Sequence, residues 1–271
     1  MPDRARVRVK RALLRTISRL HLLLPAYRAY EAVRALRFGR SASEADGLPV
    51  PPRRLLLTVA GTPDPTWFID SGRETAGGIR SALERRGVDI GQVEAMLDFG
   101  CGCGRVVRHW ADLPHTRIVG SDYNARLVAW CRANLPFARF DQNALAPPLR
   151  YDDGQFDVVY ALSVFTHLPE DLQQRWLREL ARVLRPGGHL LLTLHGDRYL
   201  ERLTAYEQAA YGRGELVVRW AEVAGSNLCT AFHPRAYVES RLTGPVELVE
   251  AVDEGAAGMP HQDLYVFTRP A

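Results

Sequence analysis

Spaced glycines that lie between two acidic residues are the part of this sequence best suited to bind a ligand. Asp98 is followed by Gly100, Gly102 and Gly104, at the end of an apolar run and the start of a predicted helix. Glycines let the backbone turn tightly and come within contact distance of a ligand, where a Cβ would interfere. Asp122 ends the next apolar run, and a carboxylate at that point can accept hydrogen bonds from both hydroxyls of a ribose. The pattern therefore predicts a site for a nucleoside-containing ligand.

Other phosphate-binding and metal-binding motifs fit these residues less well. The dinucleotide fingerprint G-x-G-x-x-G would need a glycine at Arg105 or at Val107, depending on the glycine at which it starts. A Walker-type phosphate loop would need a Gly-Lys-Ser/Thr sequence, which does not follow. Cys101 and Cys103 have no further thiolate or imidazole at a suitable spacing, so we expect small residues in a tight turn and no metal site.

Three of the eight histidines lie where side chains could reach a substrate. His167 and His195 follow predicted strands, and His233 follows a predicted hairpin. Because the carboxyl ends of parallel strands form the ligand crevice of an open α/β sheet, we predict these histidines as catalytic candidates. Histidine is the natural base near neutral pH for a nucleophile that must lose a proton. The alternative, open for each of them, is a polar residue whose hydrogen bonds are satisfied at a strand end or helix cap.

Apolar β-type runs alternate with helical segments through the middle of the chain. This alternation implies a parallel sheet with helices on both faces, which is an α/β doubly wound fold. The predicted strands are Val93–Phe99, Arg117–Ser121, Phe156–Leu162 and His189–His195, with a weak one near 138–141, and the predicted helices lie near Arg105–Leu113, Ala125–Leu135 and Glu170–Leu184.

The segment before this core is predicted to hold a linker and a helix. Residues 41–52 are rich in Ser, Gly and Pro, which indicates a linker. Ser71 and Glu74 have the spacing of a capping box, which would open a helix that Gly87 closes. Trp67 before this helix could belong to a lid, although core packing is the favoured interpretation.

The segment after the fifth predicted strand departs from strict alternation. A hairpin of Glu215–Glu222 and Leu228–Phe232 is predicted as an inserted lid, followed by a helix over Pro234–Leu242 and final strands at Val246–Asp253 and Asp263–Arg269. The chain is thereby divided into a basic helical arm and linker (1–50), a pre-core lid and helix segment (51–92) and a core (93–271) with an insertion at about 198–232.

Four ordered motifs in the core resemble those of class I S-adenosylmethionine-dependent methyltransferases. They are LDFGCGCGR, VGSDYN, FDVVYALSVFTHL and LRPGGHLLLTLHG, and the likeness covers about residues 93–195. The resemblance implies a Rossmann-like, seven-stranded, mostly parallel sheet and S-adenosylmethionine as the cofactor, with S-adenosylhomocysteine as the product. It also implies roles for the matching residues: Gly100, Gly102 and Gly104 beside the methionine and ribose, Asp98 near the amino group, Asp122 (with Tyr123 next to it) at the ribose hydroxyls, Asn143 or Gln142 at the adenine, and Ser163 on the opposite side.

The acceptor is predicted to be a small molecule. The inserted hairpin and the strand-end histidines favour methylation of an oxygen in a secondary metabolite, a sugar or a glycan intermediate. Two alternatives stay open: N-methylation of a small amine, and a non-catalytic partner that binds the cofactor in a biosynthetic complex. The Asn-Pro-Pro-Tyr signature of base and glutamine methylation is replaced by Ala-Leu-Ser-Val after the fourth strand, and no nucleic-acid partner is expected.

Charge is concentrated at the start of the chain. Residues 1–40 hold eleven Arg or Lys against two acids, a net charge of +9, which leaves −5 on the remainder because the whole chain carries +4. An amphipathic helix over Arg8–Leu24 and a second over Ala26–Phe38 are predicted in this arm. The arm could pack on the body, dimerise with a second copy, or contact an anionic membrane surface or substrate. With four irregularly spaced cysteines and no secretory signal, we expect a cytoplasmic protein, peripherally membrane-bound if the arm contacts lipid.

Overall fold

The computed structural model describes residues 44–259 and 261–271 and seven residues of the basic arm. Those seven are Leu22, Leu23, Pro25, Ala26, Ala29, Tyr30 and Val33. The arm helices predicted over Arg8–Leu24 and Ala26–Phe38 therefore lie almost wholly outside the described residues. Within the described part of the chain, every helix is too short or too polar to cross a membrane.

A seven-stranded sheet forms the centre of the molecule and confirms the predicted α/β architecture. Its order is β10-β11-β7-β6-β3-β4-β5, in which β3 to β7 run parallel and β11 runs antiparallel to both neighbours. The long apolar runs that predicted these strands are buried from both faces, as expected of parallel strands. The bounds are β3 Ala95–Phe99, β4 Arg117–Asp122, β5 Arg139–Gln142, β6 Phe156–Leu162, β7 Leu184–Leu194, β10 Glu247–Val252 and β11 Asp263–Thr268.

Six described α-helices and two small hairpins surround the sheet. Helix α4 shows the packing rule: Leu172, Trp176 and Leu180 recur at helical spacing and are buried against the sheet. The helices are α1 Arg53–Ala60, α2 Pro65–Arg85, α3 Ala125–Asn134, α4 Glu170–Val183, α5 Ala205–Gly212 and α6 Arg235–Arg241. The hairpins pair β1 Glu44–Ala45 with β2 Leu48–Pro49, and β8 Val217–Arg219 with β9 Thr230–Phe232.

Two local predictions before β4 were wrong. Helix α2 begins at Pro65 and not at Ser71, because Asp64 caps it by accepting a hydrogen bond from the Thr66 N–H at 2.9 Å, and proline suits the first helical position. Ser71 is buried inside the helix. The helix predicted near residues 105–113 is a 3₁₀ turn at Val107–Trp110, so the chain after the glycine motif is tightly turned rather than α-helical.

The predicted hairpin after the fifth strand of the core is present, although it is shorter than predicted. Strands β8 and β9 pair antiparallel in the register Val217↔Phe232 to Arg219↔Thr230. Between them the chain turns through Trp220, which has a left-handed φ of 57°, into a 3₁₀ turn at Ala221–Val223. Residues 220–229, which we call the cap segment, cross the carboxyl ends of the central strands.

Candidate functional site

A cavity of about 460 Å³ lies at the carboxyl ends of β3, β4 and β6. The strand order reverses here, because the chain continues from β3 to β4 on one side and returns to β6 on the other. Open α/β sheets bind ligands at such a switch point. The walls come from the glycine motif, the end of α1 (Thr58 to Ala60), the cap segment (Gly225 to Asn227) and the connection between β10 and β11 (Met259 and Gln262).

The glycine motif forms one wall of the cavity, and its backbone requires glycine. Gly100 and Gly104 have φ values of +81° and +79°, which side-chain-bearing residues rarely adopt. A Cβ at Gly100 would overlap Val164, and one at Gly104 would lie 2.5 Å from Leu135. The Gly100 N–H donates to the carbonyl of Ser121 at 2.7 Å, which ties the loop to the end of β4.

Asp122 holds the glycine loop and its own strand end in place. One carboxylate oxygen accepts the Gly102 N–H at 3.0 Å, and the other accepts the Asn124 N–H at 2.7 Å. The side chain is buried but lines the cavity, and burial raises the pKa of its carboxyl group. Because a carboxylate has about four lone-pair positions, Asp122 can accept further hydrogen bonds from a ligand.

Asp98 lies deeper, at the floor of the same cavity. Burial raises the pKa of its carboxyl group to about 7, against a smaller lowering by a hydrogen bond from the Tyr160 hydroxyl. The Trp110 indole N–H donates to the Tyr160 oxygen at 2.8 Å and so fixes that hydroxyl. A buried, partly protonated carboxyl group whose partners are fixed is an energetically costly arrangement, typical of a site that binds a positive group.

The two residues predicted at the adenine end are placed differently. Asn143 lines the cavity, its amide oxygen accepts the Ser121 hydroxyl at 2.7 Å, and its NH₂ group donates to the Ala144 carbonyl. Gln142 is exposed, does not line the cavity and donates to the Tyr123 carbonyl at 3.3 Å. Of the two, only Asn143 is in a position to contact a ligand in this cavity.

Tyr123 and Ser163, both predicted as cofactor-binding residues, line the cavity. The Tyr123 hydroxyl donates to the Gly225 carbonyl at 2.6 Å and so joins the end of β4 to the cap segment. Ser163 has a left-handed φ of 58°, and its hydroxyl accepts the amide N–H of Gln262 at 2.9 Å.

Of the three predicted catalytic histidines, His167 alone is among the residues that line this cavity. Its Nδ1 lies 2.7 Å from the Cys229 carbonyl, and a carbonyl can only accept, so Nδ1 carries the proton and Nε2 is the acceptor nitrogen. Burial lowers the pKa of His167, which keeps the ring neutral at neutral pH. A neutral imidazole with a free acceptor nitrogen is suited to remove a proton.

His195 and His233 lie beneath the cavity wall instead of in it. His195 donates from Nδ1 to the Ala231 carbonyl at 3.1 Å and stacks on Tyr199, with ring centroids 4.1 Å apart. His233 is fully buried, with Nε2 3.2 Å from the amide oxygen of Gln173. Burial lowers the pKa of His195 to about 4 and that of His233 to about 3. Their catalytic role stays a prediction, and Tyr199 is the residue of this cluster that lines the cavity.

Sequence reasoning missed many of the residues that line the cavity, and three of them have polar side chains of particular interest. They are Arg105, Tyr199 and Gln262. Arg105 directly follows the glycine motif and could have been noticed as a charged residue next to a ligand-binding loop. Tyr199 and Gln262 belong to connections with no motif, so their approach to the cavity depends on tertiary packing alone. In the ranges that the structure covers, no three His, Cys, Asp or Glu side chains are grouped closely enough to hold a metal ion.

Comparison with known proteins identifies the central part of the chain. A family model described as a methyltransferase domain matches residues 97–192. The chain is 34% identical over 106 residues to 27-O-demethylrifamycin SV methyltransferase of Amycolatopsis mediterranei, which covers 36% of this chain and 38% of the relative. It is 29% identical over 135 residues to Methyltransferase GfsG of Streptomyces halstedii, which covers 48% and 47%. The matches thus span less than half the length of these relatives.

Solved structures with the same fold extend the likeness beyond this part. A 1,6-didemethyltoxoflavin-N1-methyltransferase of Burkholderia thailandensis has a TM-score of 0.53 at 14% identity and covers 75% of this chain and 80% of its own. The glycopeptide N-methyltransferase MtfA, complexed with sinefungin, has a TM-score of 0.51 at 16% identity and covers 73% and 87%. At these identities the likeness concerns the fold alone. The family model, the sheet and the ordered motifs together show that the chain contains a methyltransferase domain of the class I S-adenosylmethionine-dependent type.

Proposed function

We propose that the protein methylates an oxygen of a small-molecule acceptor. The observation that carries this proposal is that one cavity joins the glycine loop and Asp122 to a neutral histidine, His167, whose Nε2 is an acceptor. When bound, S-adenosylmethionine would supply an activated methyl group. The methyl carbon is attached to a sulfonium, and the neutral thioether S-adenosylhomocysteine is a good leaving group. The protein is then required to align the reactants, exclude water and accept a proton.

The residues of the cavity fit this cofactor. The glycine loop lines the cavity with a backbone that only glycine adopts readily, and Asp122 retains lone pairs for ribose hydroxyls. Asp98 offers a buried carboxyl group for an ammonium group, and Asn143 offers an amide at the opposite end. The volume of about 460 Å³ lies within the range of small-molecule sites.

His167 is the residue to which we assign proton removal. Its Nδ1–H is held by the Cys229 carbonyl, which fixes both the tautomer and the direction of Nε2. Because burial lowers its pKa, the ring stays in the basic form at neutral pH. His195 contacts the cavity only through Tyr199, so we assign it a positioning role, and we propose no contact between His233 and the substrate.

The cap segment is proposed to act as a lid that keeps water from the site. It is fastened at several points: Gly225 donates its N–H to the His167 carbonyl at 2.8 Å and accepts from Tyr123, and Asn227 donates to the Thr58 carbonyl at 2.7 Å. These bonds connect the lid to both sides of the cavity. Exclusion of water strengthens electrostatic interactions inside a site and prevents side reactions.

Relatives with both kinds of acceptor keep N-methylation as the second candidate. The chain is 30% identical over 131 residues to a sarcosine/dimethylglycine N-methyltransferase of Halorhodospira halochloris, and the match covers 46% of this chain. An amine that binds already deprotonated needs less help from a base than a hydroxyl group does. Dependence on His167 therefore favours an oxygen acceptor over an amine. A small-molecule acceptor, and the predicted dimer or membrane contact of the basic arm, remain proposals.

The test is His167→Ala, assayed with a panel of hydroxylated and amine acceptors by the release of S-adenosylhomocysteine. We expect kcat to fall by about 10²- to 10⁴-fold, the usual contribution of a general base, with the affinity for S-adenosylhomocysteine unchanged. His115→Ala, at an exposed position outside the cavity, is the matched control and should keep full activity. Equal activity of the two variants on a hydroxylated acceptor would contradict the assignment. A wild type that binds the cofactor but turns over no acceptor in the panel would favour the non-catalytic alternative.

A further inference from the structure

Arg105 is a buried cation at the cavity wall whose hydrogen-bond partners are all neutral. Its guanidinium donates from Nη1 to the hydroxyls of Thr75 at 3.1 Å and Ser71 at 3.3 Å. Its Nη2 lies 2.7 Å from the sulfur of Met259. The residue is 7% exposed and lines the cavity. The guanidinium also lies over the Trp67 ring, 6.0 Å from its centroid. All these contacts are with neutral groups, so none of them pairs the charge with an anion.

No described residue offers Arg105 a carboxylate within 4.0 Å. Asp98 acts on it through space only, and the Asp98 carboxyl group is itself held by Tyr160. Burial lowers the pKa of Arg105 to about 10, so the group is still a cation at neutral pH. A buried charge without a paired counterion is strongly unfavourable. An anion that enters the cavity would remove this cost.

The surroundings of Arg105 are closely built. Gly72 in α2 lets the Arg105 carbonyl approach the helix, because a Cβ there would overlap the carbonyl oxygen. Gly258, with a φ of +66°, lets the connection between β10 and β11 approach α2, since a Cβ there would overlap the Ser71 carbonyl and lie 2.5 Å from the Thr75 hydroxyl. Two close contacts that only glycine allows thus hold the backbone and the hydroxyl partners of Arg105 in place beside the cavity.

We propose that Arg105 is the carboxylate-binding group of this cavity. A guanidinium binds a carboxylate through two parallel hydrogen bonds, and arginine is the residue best suited to such a pair when buried. The carboxylate could come from the amino-acid end of the cofactor or from an acidic acceptor. The inference rests on the proposed function, because both ligands enter the same cavity.

The first arm of the test compares two ligands that differ by the amino-acid end. Wild type, Arg105→Gln and Arg105→Lys are titrated calorimetrically with S-adenosylhomocysteine and with 5′-methylthioadenosine, which lacks that end. If the carboxylate is the cofactor's, Arg105→Gln should weaken S-adenosylhomocysteine binding by about 10- to 100-fold, the range of a lost charged hydrogen bond. The affinity for 5′-methylthioadenosine should not change, and Arg105→Lys should restore part of the loss.

The second arm tests an acidic acceptor. If both nucleosides bind the variants as they bind wild type, the protein saturated with S-adenosylhomocysteine is titrated with trans-aconitate. Binding by wild type and not by Arg105→Gln would assign the carboxylate to the acceptor. Arg108→Gln is the matched control, because Arg108 is also buried but donates to the carbonyls of Ala45 and Leu48 and does not line the cavity.

Two results would overturn the proposal. One is an equal loss of affinity for both nucleosides in Arg105→Gln, which would show a merely structural role; the other is no effect in either arm. If the variants do not fold, wild type is titrated with S-adenosylhomocysteine and with its carboxamide. Equal affinity for the acid and the amide would contradict a carboxylate of the cofactor as the ligand of Arg105. A wild type that binds neither nucleoside would contradict the proposed function itself, which separates the two failures.

Discussion

Together, His195 and His233 should lower the free energy of unfolding by about 3 kcal/mol as the pH is lowered from 6.5 to 5, because both buried rings resist protonation. Burial lowers the pKa of His195 to about 4 and of His233 to about 3, with smaller lowering effects of His167 on His195 and of His195 on His233. In the unfolded chain a histidine has a pKa of about 6.5. The unfolded state therefore binds protons in this range while the folded state does not.

The sign and the window follow from these values. A folded-state pKa below the unfolded value means that the stabilisation is complete above about pH 6.5 and is lost as the pH decreases. Each histidine contributes about 1.6 kcal/mol between pH 6.5 and 5, which is the proton uptake of the unfolded state integrated over this pH range. The loss due to His195 ends near its folded pKa of about 4, and that due to His233 near about 3.

Urea unfolding at a series of pH values measures this dependence. His233→Gln removes one titrating ring and keeps a side chain that can bond Gln173, so between pH 6.5 and 5 it should lose about 1.6 kcal/mol less stability than wild type. His115→Gln, at an exposed position, is the matched control and should retain the wild-type slope. An unchanged slope in His233→Gln would contradict the buried, neutral state of this ring.

Asp122→Ala should lower the affinity for S-adenosylhomocysteine by at least about 100-fold. A hydrogen bond to a charged group contributes about 1.5–3 kcal/mol, and a ribose offers two hydroxyls to this carboxylate. The substitution also frees the Gly102 N–H, which Asp122 holds at 3.0 Å, so the glycine loop loses a fixed contact. Both effects act in the same direction.

The matched control for this prediction is Asp141→Ala. Asp141 is an acid near the end of the neighbouring strand β5, but it pairs with Arg139 at 2.9 Å and does not line the cavity. Its replacement should leave the affinity within about twofold of wild type. Comparable affinities of Asp122→Ala and wild type in calorimetric titration would show that the ribose site lies elsewhere.

The parts of the fold that could be predicted are those whose periodicity is set by burial. Strand β6 is almost wholly buried in the sheet, and helix α4 buries one face, so a continuous apolar run and a helical apolar repeat predicted them. The Ser71–Glu74 pair predicted the wrong start for α2, because Asp64 caps the helix and Pro65 begins it further upstream. Ser71 is instead a buried residue in the interior of the helix. Trp67, predicted as core packing, lines the cavity, while its neighbour Phe68 is buried.

The site was predictable in its backbone-defined half and less so in its acceptor half. Asp98 and the glycines belong to one motif, and Asp122 ends the parallel strand beside it, so their mutual positions follow from the pairing of β3 with β4. Whether a histidine ring reaches the cavity depends on the side of the strand end on which it lies and on the segment that covers it. His167 lines the cavity and is held there by a hydrogen bond to the Cys229 carbonyl. His195 donates instead to the Ala231 carbonyl of β9 and lies outside the cavity. Neither contact has a local sequence signal.

The most direct test of the central claim is a calorimetric titration of wild type with S-adenosylmethionine, S-adenosylhomocysteine and NADH. The glycine loop, Asp122 and the absence of a third fingerprint glycine at Arg105 predict micromolar binding of the first two at one site and no binding of NADH. A folded wild type that binds NADH, or that binds neither sulfur nucleoside, would contradict the assignment of this cavity to S-adenosylmethionine.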